Sequence, residues 1–174
     1  MYQSMDYGEN GSQENEMTHS YIQDLFHYNF AMNQRMIDQI STCHGDQEQM
    51  ITIFAHNLTA EKIWLMRLYK EDLSGQKIWP ELSLKDCRNL LKKNKQSYKT
   101  YLTDKTEENF AEKLIYKTSK GIEFQTPVID ILMHVVIHSG YHRGQIAALL
   151  RREGNQPQNT DYIHYVRFLK ENSR

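Results

Sequence analysis

HVVIHSGYHRGQIAALL, residues 134–150, is the stretch on which both the fold and the chemistry of this chain turn. Val135, Ile146, Leu149 and Leu150 recur at three- and four-residue steps, the signature of an amphipathic helix. His138 and His142 are one helical turn apart, which puts both imidazoles on one face about 6 Å apart along the axis. Two ring nitrogens so placed can converge on a single metal ion, whereas an apolar stripe does not normally hold two polar rings without partners. His134 repeats the spacing, but at about 100° per residue it falls near the edge of the buried sector and is the weaker ligand candidate. Hydrogen-bonded core histidines would explain the pair equally well, so a metal site requires a third donor from elsewhere in the chain.

Outward from this segment, the same helix is expected to start at Pro127, a residue suited to a first turn, and to stop before Gly154. Upstream, Ile22, Leu25, Phe26, Phe30, Met36, Ile37 and Ile40 mark a first helix from about Ser20 to Ile40, broken at Gly45. Met50, Ile53, Phe54, Leu58, Trp64, Leu65 and Leu68 mark a second from about Gln47 to Tyr69. Ser83, with Asp86 three residues on, caps a lysine-rich third helix that reaches about Thr103. LIYKT and IEFQT alternate around Ser119-Lys120-Gly121 and read as a small hairpin between Glu112 and Thr126. Thr160 or Asp161 can cap a final short helix through about Glu171. The expected fold is all-α: a four-helix bundle with one inserted β-hairpin and a short C-terminal helix. Residues 1–17 are polar and lack apolar periodicity, so they read as a mobile tail before a domain of residues 18–174. Gly140 and Gly144 together cost about 2 kcal/mol of helix propensity, which suggests that they serve packing.

The third donor is His56, on the shoulder of the second helix's stripe beside small Ala60. His56, His138 and His142 give three neutral nitrogen ligands, a set that leaves zinc a further position for water or substrate. Imidazole also suits nickel, iron and copper. The residue after His138 is Ser139, so the His-Glu-x-x-His pattern with its own general base is absent. His19, His27, His44 and His164 are most simply surface or satisfied side chains. Glu61, Tyr141 and Arg143 lie near enough in sequence to act as acid or base, although salt-bridge or packing roles explain them as well.

Composition narrows the remaining classes. The formal net charge of -1 over 174 residues gives no basic excess for nucleic acid or an anionic membrane surface. No apolar run approaches the roughly 18 residues of a membrane span, and the first residues lack a signal-peptide pattern. Two cysteines, Cys43 and Cys87, make no disulfide framework and fit a reduced, cytoplasmic setting.

Three segments carry a family resemblance. HSGYHRGQIAALLRREGNQP (residues 138–157) followed by TDYIHYVR (160–167) resembles the C-terminal helix and tail of the DinB (YfiT-like) family of metal-dependent enzymes. HNLTAEKIWLMRL (56–68) is similar to that family's second-helix signature, with Trp64 eight residues after His56, and LFHYNFAMNQRMID (25–38) to its first helix. The resemblance spans about residues 20–170 and implies an up-down-down-up bundle that is a homodimer. It implies a divalent metal, zinc or nickel first, on His56, His138 and His142. It also implies transfer of a low-molecular-weight thiol, such as bacillithiol, mycothiol or glutathione, to a small electrophilic molecule. The chain departs from the pattern at Ile137, where relatives often carry Asn, and at Gly140, where they often carry Thr, which bears on hydrogen bonds behind the ligands. Two rivals share the site: hydrolysis with water as nucleophile, and a non-catalytic stress protein whose metal merely staples the bundle.

Overall fold

The computed structural model describes residues 10–118 and 121–170, with side-chain detail from residue 18 onward. Among these residues there are six helices and two strands. The helices are α1 (Asn10–Thr42), α2 (Glu48–Leu68), α3 (Leu84–Thr103), α4 (Glu107–Ala111), α5 (Val128–Arg152) and α6 (Tyr162–Phe168). The strands β1 (Lys113–Lys117) and β2 (Glu123–Pro127) pair antiparallel between α4 and α5, with Tyr116 opposite Phe124. No helix of the described residues is long and apolar enough to cross a membrane.

α2 packs against α3 and α5, α1 packs against the same two, and α1 and α2 touch each other little. All seven apolar positions expected of α1 are buried in one core with Phe54 and Leu58 of α2, Leu91 and Tyr98 of α3, and Ile131 and Ile146 of α5. α3 starts as the sequence suggests: the Ser83 hydroxyl accepts from the Asp86 backbone N–H at 3.1 Å, and the Asp86 carboxylate accepts from the Ser83 N–H at 3.2 Å. The α1–α2 turn needs its glycine. Gly45 has φ +90°, and a β-carbon there would run into Glu153.

At the centre of this helical assembly lies a polar cluster that apolar periodicity does not reveal. Glu61 of α2, 1% exposed, accepts at Oε1 from Asn29 (2.8 Å), Asn33 (2.9 Å) and Ser139 (2.8 Å), and at Oε2 from Asn94 (3.1 Å). The carbonyl oxygens of those same two α1 amides accept from Arg143 Nη1 of α5 at 2.7 and 2.9 Å. The buried guanidinium and the buried carboxylate are thus joined through a pair of amide relays. Tyr98 donates to the Glu61 backbone carbonyl at 2.8 Å, and Asn94 donates to that of Leu58 at 2.8 Å, which fixes α3 along α2.

Four features differ from the sequence reading. Residues 10–17, expected in a mobile tail, extend α1; residues 1–9 lie outside the described residues. That stretch has no apolar stripe in its sequence, so periodicity could not register it. Short α4 was not anticipated, and it is tied to α1 where Glu107 accepts from the His19 backbone N–H at 2.9 Å. α6 ends at Phe168, short of the expected Glu171, which with Ser119 and Lys120 lies outside the described residues. The two α5 glycines do not serve close packing: a β-carbon on Gly140 would meet only Arg143 Nη2, at an ordinary 3.7 Å, and one on Gly144 would meet nothing within 4 Å.

Removing the hub's acceptor strands four donors and leaves Arg143 without its counter-charge. Glu61→Ala should therefore cost about 3–5 kcal/mol. Asn94→Ala, which removes only one arm, should cost about 1–3 kcal/mol. Urea unfolding read from the midpoint at constant slope measures both, and a Glu61→Ala loss below that of Asn94→Ala would contradict the hub.

Candidate metal centre

His56 enters from α2, and His138 and His142 from successive turns of α5, the helix packed against it. One ring nitrogen from each of the three lies within 4.8 Å of the other two. His138 and His142 approach most closely, Nε2 to Nε2 at 3.1 Å. Two ligands on one tetrahedral zinc, each about 2.0–2.1 Å from the ion, stand roughly 3.3 Å apart. The α5 pair is therefore spaced for metal chelation, and a ring nitrogen of His56 lies within 4.8 Å of both. Among the described residues no cysteine or carboxylate joins this cluster.

The back side of two rings is fixed. His56 Nδ1 is 2.9 Å from the Ile78 carbonyl oxygen, which can only accept, so this nitrogen carries the proton and Nε2 presents its lone pair. His142 Nδ1 lies 2.7 Å from Gln145 Oε1, which sets the same tautomer. With Nδ1 protonated on His142, its Nε2 faces the Nε2 of His138 as an acceptor. His138 can donate an Nε2–H to it or, in its other tautomer, turn a lone pair alongside it toward a shared cation. Trp79 stacks on His56, with ring centroids 3.8 Å apart and planes 10° from parallel, and so holds the imidazole against rotation. The carbonyl, the amide and the indole are the outer support that metal-binding histidines require. Ile137, exposed at 64%, contributes nothing to that support, so Ile78 and Gln145 supply it instead.

Burial disfavours the charged form of the two α5 histidines. Burial pushes the His138 pKa down to about 4, and the neighbouring His142, His134 and His56 add to the effect. His142 is lowered mainly by burial, partly opposed by its bond to Gln145. Neutral imidazole is the form that binds metal.

The remaining sequence candidates separate cleanly. His134 stays outside the cluster, with its ring centroid 5.4 Å from that of His138; burial lowers its pKa, with a further contribution from the nearby charge of Arg67. Glu61 and Arg143 are committed to the polar hub, where burial raises the Glu61 carboxyl against its four donors. Tyr141 stands beside the site, 65% exposed and with its ring 5.2 Å from that of His142. Cys87 is fully buried, with a thiol pushed up to about 11 by burial, while the Cys43 thiol sits against the Ile40 carbonyl at 3.2 Å. His19 is satisfied, 2.8 Å from the Leu102 carbonyl oxygen. The sequence reading missed Ile78 and Trp79, which lie in a connecting loop. Gln145 was legible in principle, because three residues along a helix places it beside His142.

The site predicts two outcomes. His142→Ala should reduce bound metal from about one ion per chain to roughly a tenth, as elemental analysis of tag-free protein would show; equal metal in both would contradict the triad. The second concerns pH. The unfolded chain protonates His138 near its ordinary 6.5 and the folded protein only near about 4, so metal-free protein loses stability as pH falls across that window. The melting temperature should fall less steeply with acidification in His138→Asn.

The DinB family profile matches residues 43–172, a span that includes all three histidines. Protein DinB of Bacillus subtilis (strain 168) is 25% identical over 168 residues, covering 84% of this chain and 94% of that protein. This chain belongs to the DinB family.

Proposed function

We propose that this protein is a divalent-metal-dependent thiol S-transferase acting on small electrophilic molecules. The observation that carries the reading is the convergence of His56, His138 and His142 from two helices with no fourth protein ligand among the described residues. Zinc or nickel suits three imidazoles. Bound there, such an ion supplies Lewis acidity that lowers the pKa of a thiol at its free position. The chain's own residues orient the ligands, through Ile78, Gln145 and Trp79. Neither cysteine can serve as nucleophile: burial raises both thiols, and neither joins the cluster. The reacting sulfur therefore comes from a small thiol such as bacillithiol. That sulfur bonds to the electrophilic carbon, the leaving group departs with the bonding pair, and the thiol proton passes to solvent.

The proposal extends to the architecture and setting. α1, α2, α3 and α5 form one up-down-down-up bundle domain over residues 18–174, supported by the ring of contacts in which α1 and α2 each touch α3 and α5. The protein works as a homodimer in the cytoplasm, supported by family membership and two free cysteines.

Zinc- or nickel-loaded protein should consume a thiol and an electrophile in equal amounts, and His138→Ala should fall to the uncatalysed rate. Turnover that proceeds at full rate without any thiol would assign the site to hydrolysis instead, and no turnover across a broad panel of electrophiles would remove the transferase reading.

A further inference from the structure

The metal cluster continues into a line of side chains that its ligands do not use. His134 is one turn before His138 on α5, about 6 Å along the axis. Its ring meets Trp64 of α2, with centroids 5.3 Å apart. Trp64 in turn meets Tyr116 of β1, edge to face at 5.2 Å. The guanidinium of Arg67 sits against both aromatic rings, 4.4 Å from the Trp64 centroid and 5.3 Å from that of Tyr116. This places a cation at the end of an aromatic path that starts at His138.

Arg67 has no anionic partner. Its Nε is buried without a hydrogen bond, and among the described residues no carboxylate lies within ion-pair distance of it. A half-buried guanidinium gains little from staying unpaired, because burial removes part of its hydration. The aromatic rings hold the planar group in one orientation, which lowers the entropy lost when its fork receives two oxygens.

We propose that Arg67, braced by Trp64 and Tyr116, is an anion subsite that takes a carboxylate of the small molecule bound at the three histidines. The inference rests on the thiol-transfer reading for what occupies the metal end. It adds the substrate class: an elongated molecule whose reactive end lies at the triad and whose carboxylate lies no more than about 16 Å away, the sum of one helical turn and two ring contacts. The carboxylate could belong to the thiol or to its acceptor, and the choice of probe separates the two.

The test is calorimetric titration of zinc-loaded protein with glutathione, glutathione diethyl ester and S-methylglutathione, for wild type, Arg67→Gln and Arg67→Lys. Wild type should bind glutathione about tenfold more tightly than its ester, the size of one charge-assisted pair. The preference should fall to near parity in Arg67→Gln and be only partly kept in Arg67→Lys, at unchanged zinc content. S-methylglutathione, which keeps the carboxylates and blocks the sulfur, should retain the dependence on Arg67. Equal affinity for acid and ester in wild type, including no measurable binding of either, overturns a thiol-borne carboxylate. The same acid-versus-ester comparison on a carboxylate-bearing electrophile, 4-(bromomethyl)benzoate and its methyl ester read by KM, then decides the acceptor. Parity there as well overturns the subsite. An Arg67-dependent preference for S-methylglutathione in a protein that turns over no thiol would keep the subsite and remove the transferase reading. Thiol turnover with no Arg67-dependent preference in either comparison would do the reverse.

Discussion

Glu61 receives hydrogen bonds from Asn29 and Asn33 of α1, Asn94 of α3 and Ser139 of α5, so four helices meet on one carboxylate with almost no access to water. Taking a carboxylate and a guanidinium out of water is expensive, and their attraction offsets the cost only if the remaining donors and acceptors are satisfied. Asn29 and Asn33 meet that condition for both charges, each accepting from Arg143 and donating to Glu61. Apolar packing tolerates small slides between helices. This cluster does not, because a one-residue shift of α5 turns its side chains by about 100° and carries Ser139 and Arg143 away from their partners.

That constraint reaches the three-histidine cluster directly. Ser139 follows His138 in the chain, and Arg143 follows His142, so the bonds that set α5 against the hub also aim the two imidazoles. Glu61 lies five residues beyond His56 on α2 and fixes the third ring's helix in the same way. The three imidazoles therefore sit on rigid elements, with loop residues contributing support behind them through Ile78 and Trp79. Burial that would be costly for charged imidazoles is well matched to neutral ones, which is the state a metal requires.

Much of the fold was legible because burial imposes a period. Ile22 through Ile40 on α1 and Val128 through Leu150 on α5 carry apolar side chains at three- and four-residue steps, and the core contains nearly all of them. The hairpin was legible from alternation, and the start of α3 from Ser83 and Asp86. The helical extension over residues 10–17 and the short α4 were not, since neither presents a long apolar stripe. The Glu61 hub was also hidden. Asn29 and Asn33 look like solvent-facing residues in a linear reading and Arg143 like a salt-bridge or packing residue, and only long-range contacts make them partners.

The sequence by itself determined the helical periods, the hairpin and the one-turn spacing of His138 and His142, because those are local properties of a chain with 3.6 residues per turn. Tertiary structure decided that His56 faces that pair, that Gln145 and the Ile78 carbonyl select the tautomers, and that Arg67 lies between two rings from different elements. These depend on how far one helix is slid and turned against the next. A buried polar cluster sets that quantity, and no local pattern encodes it.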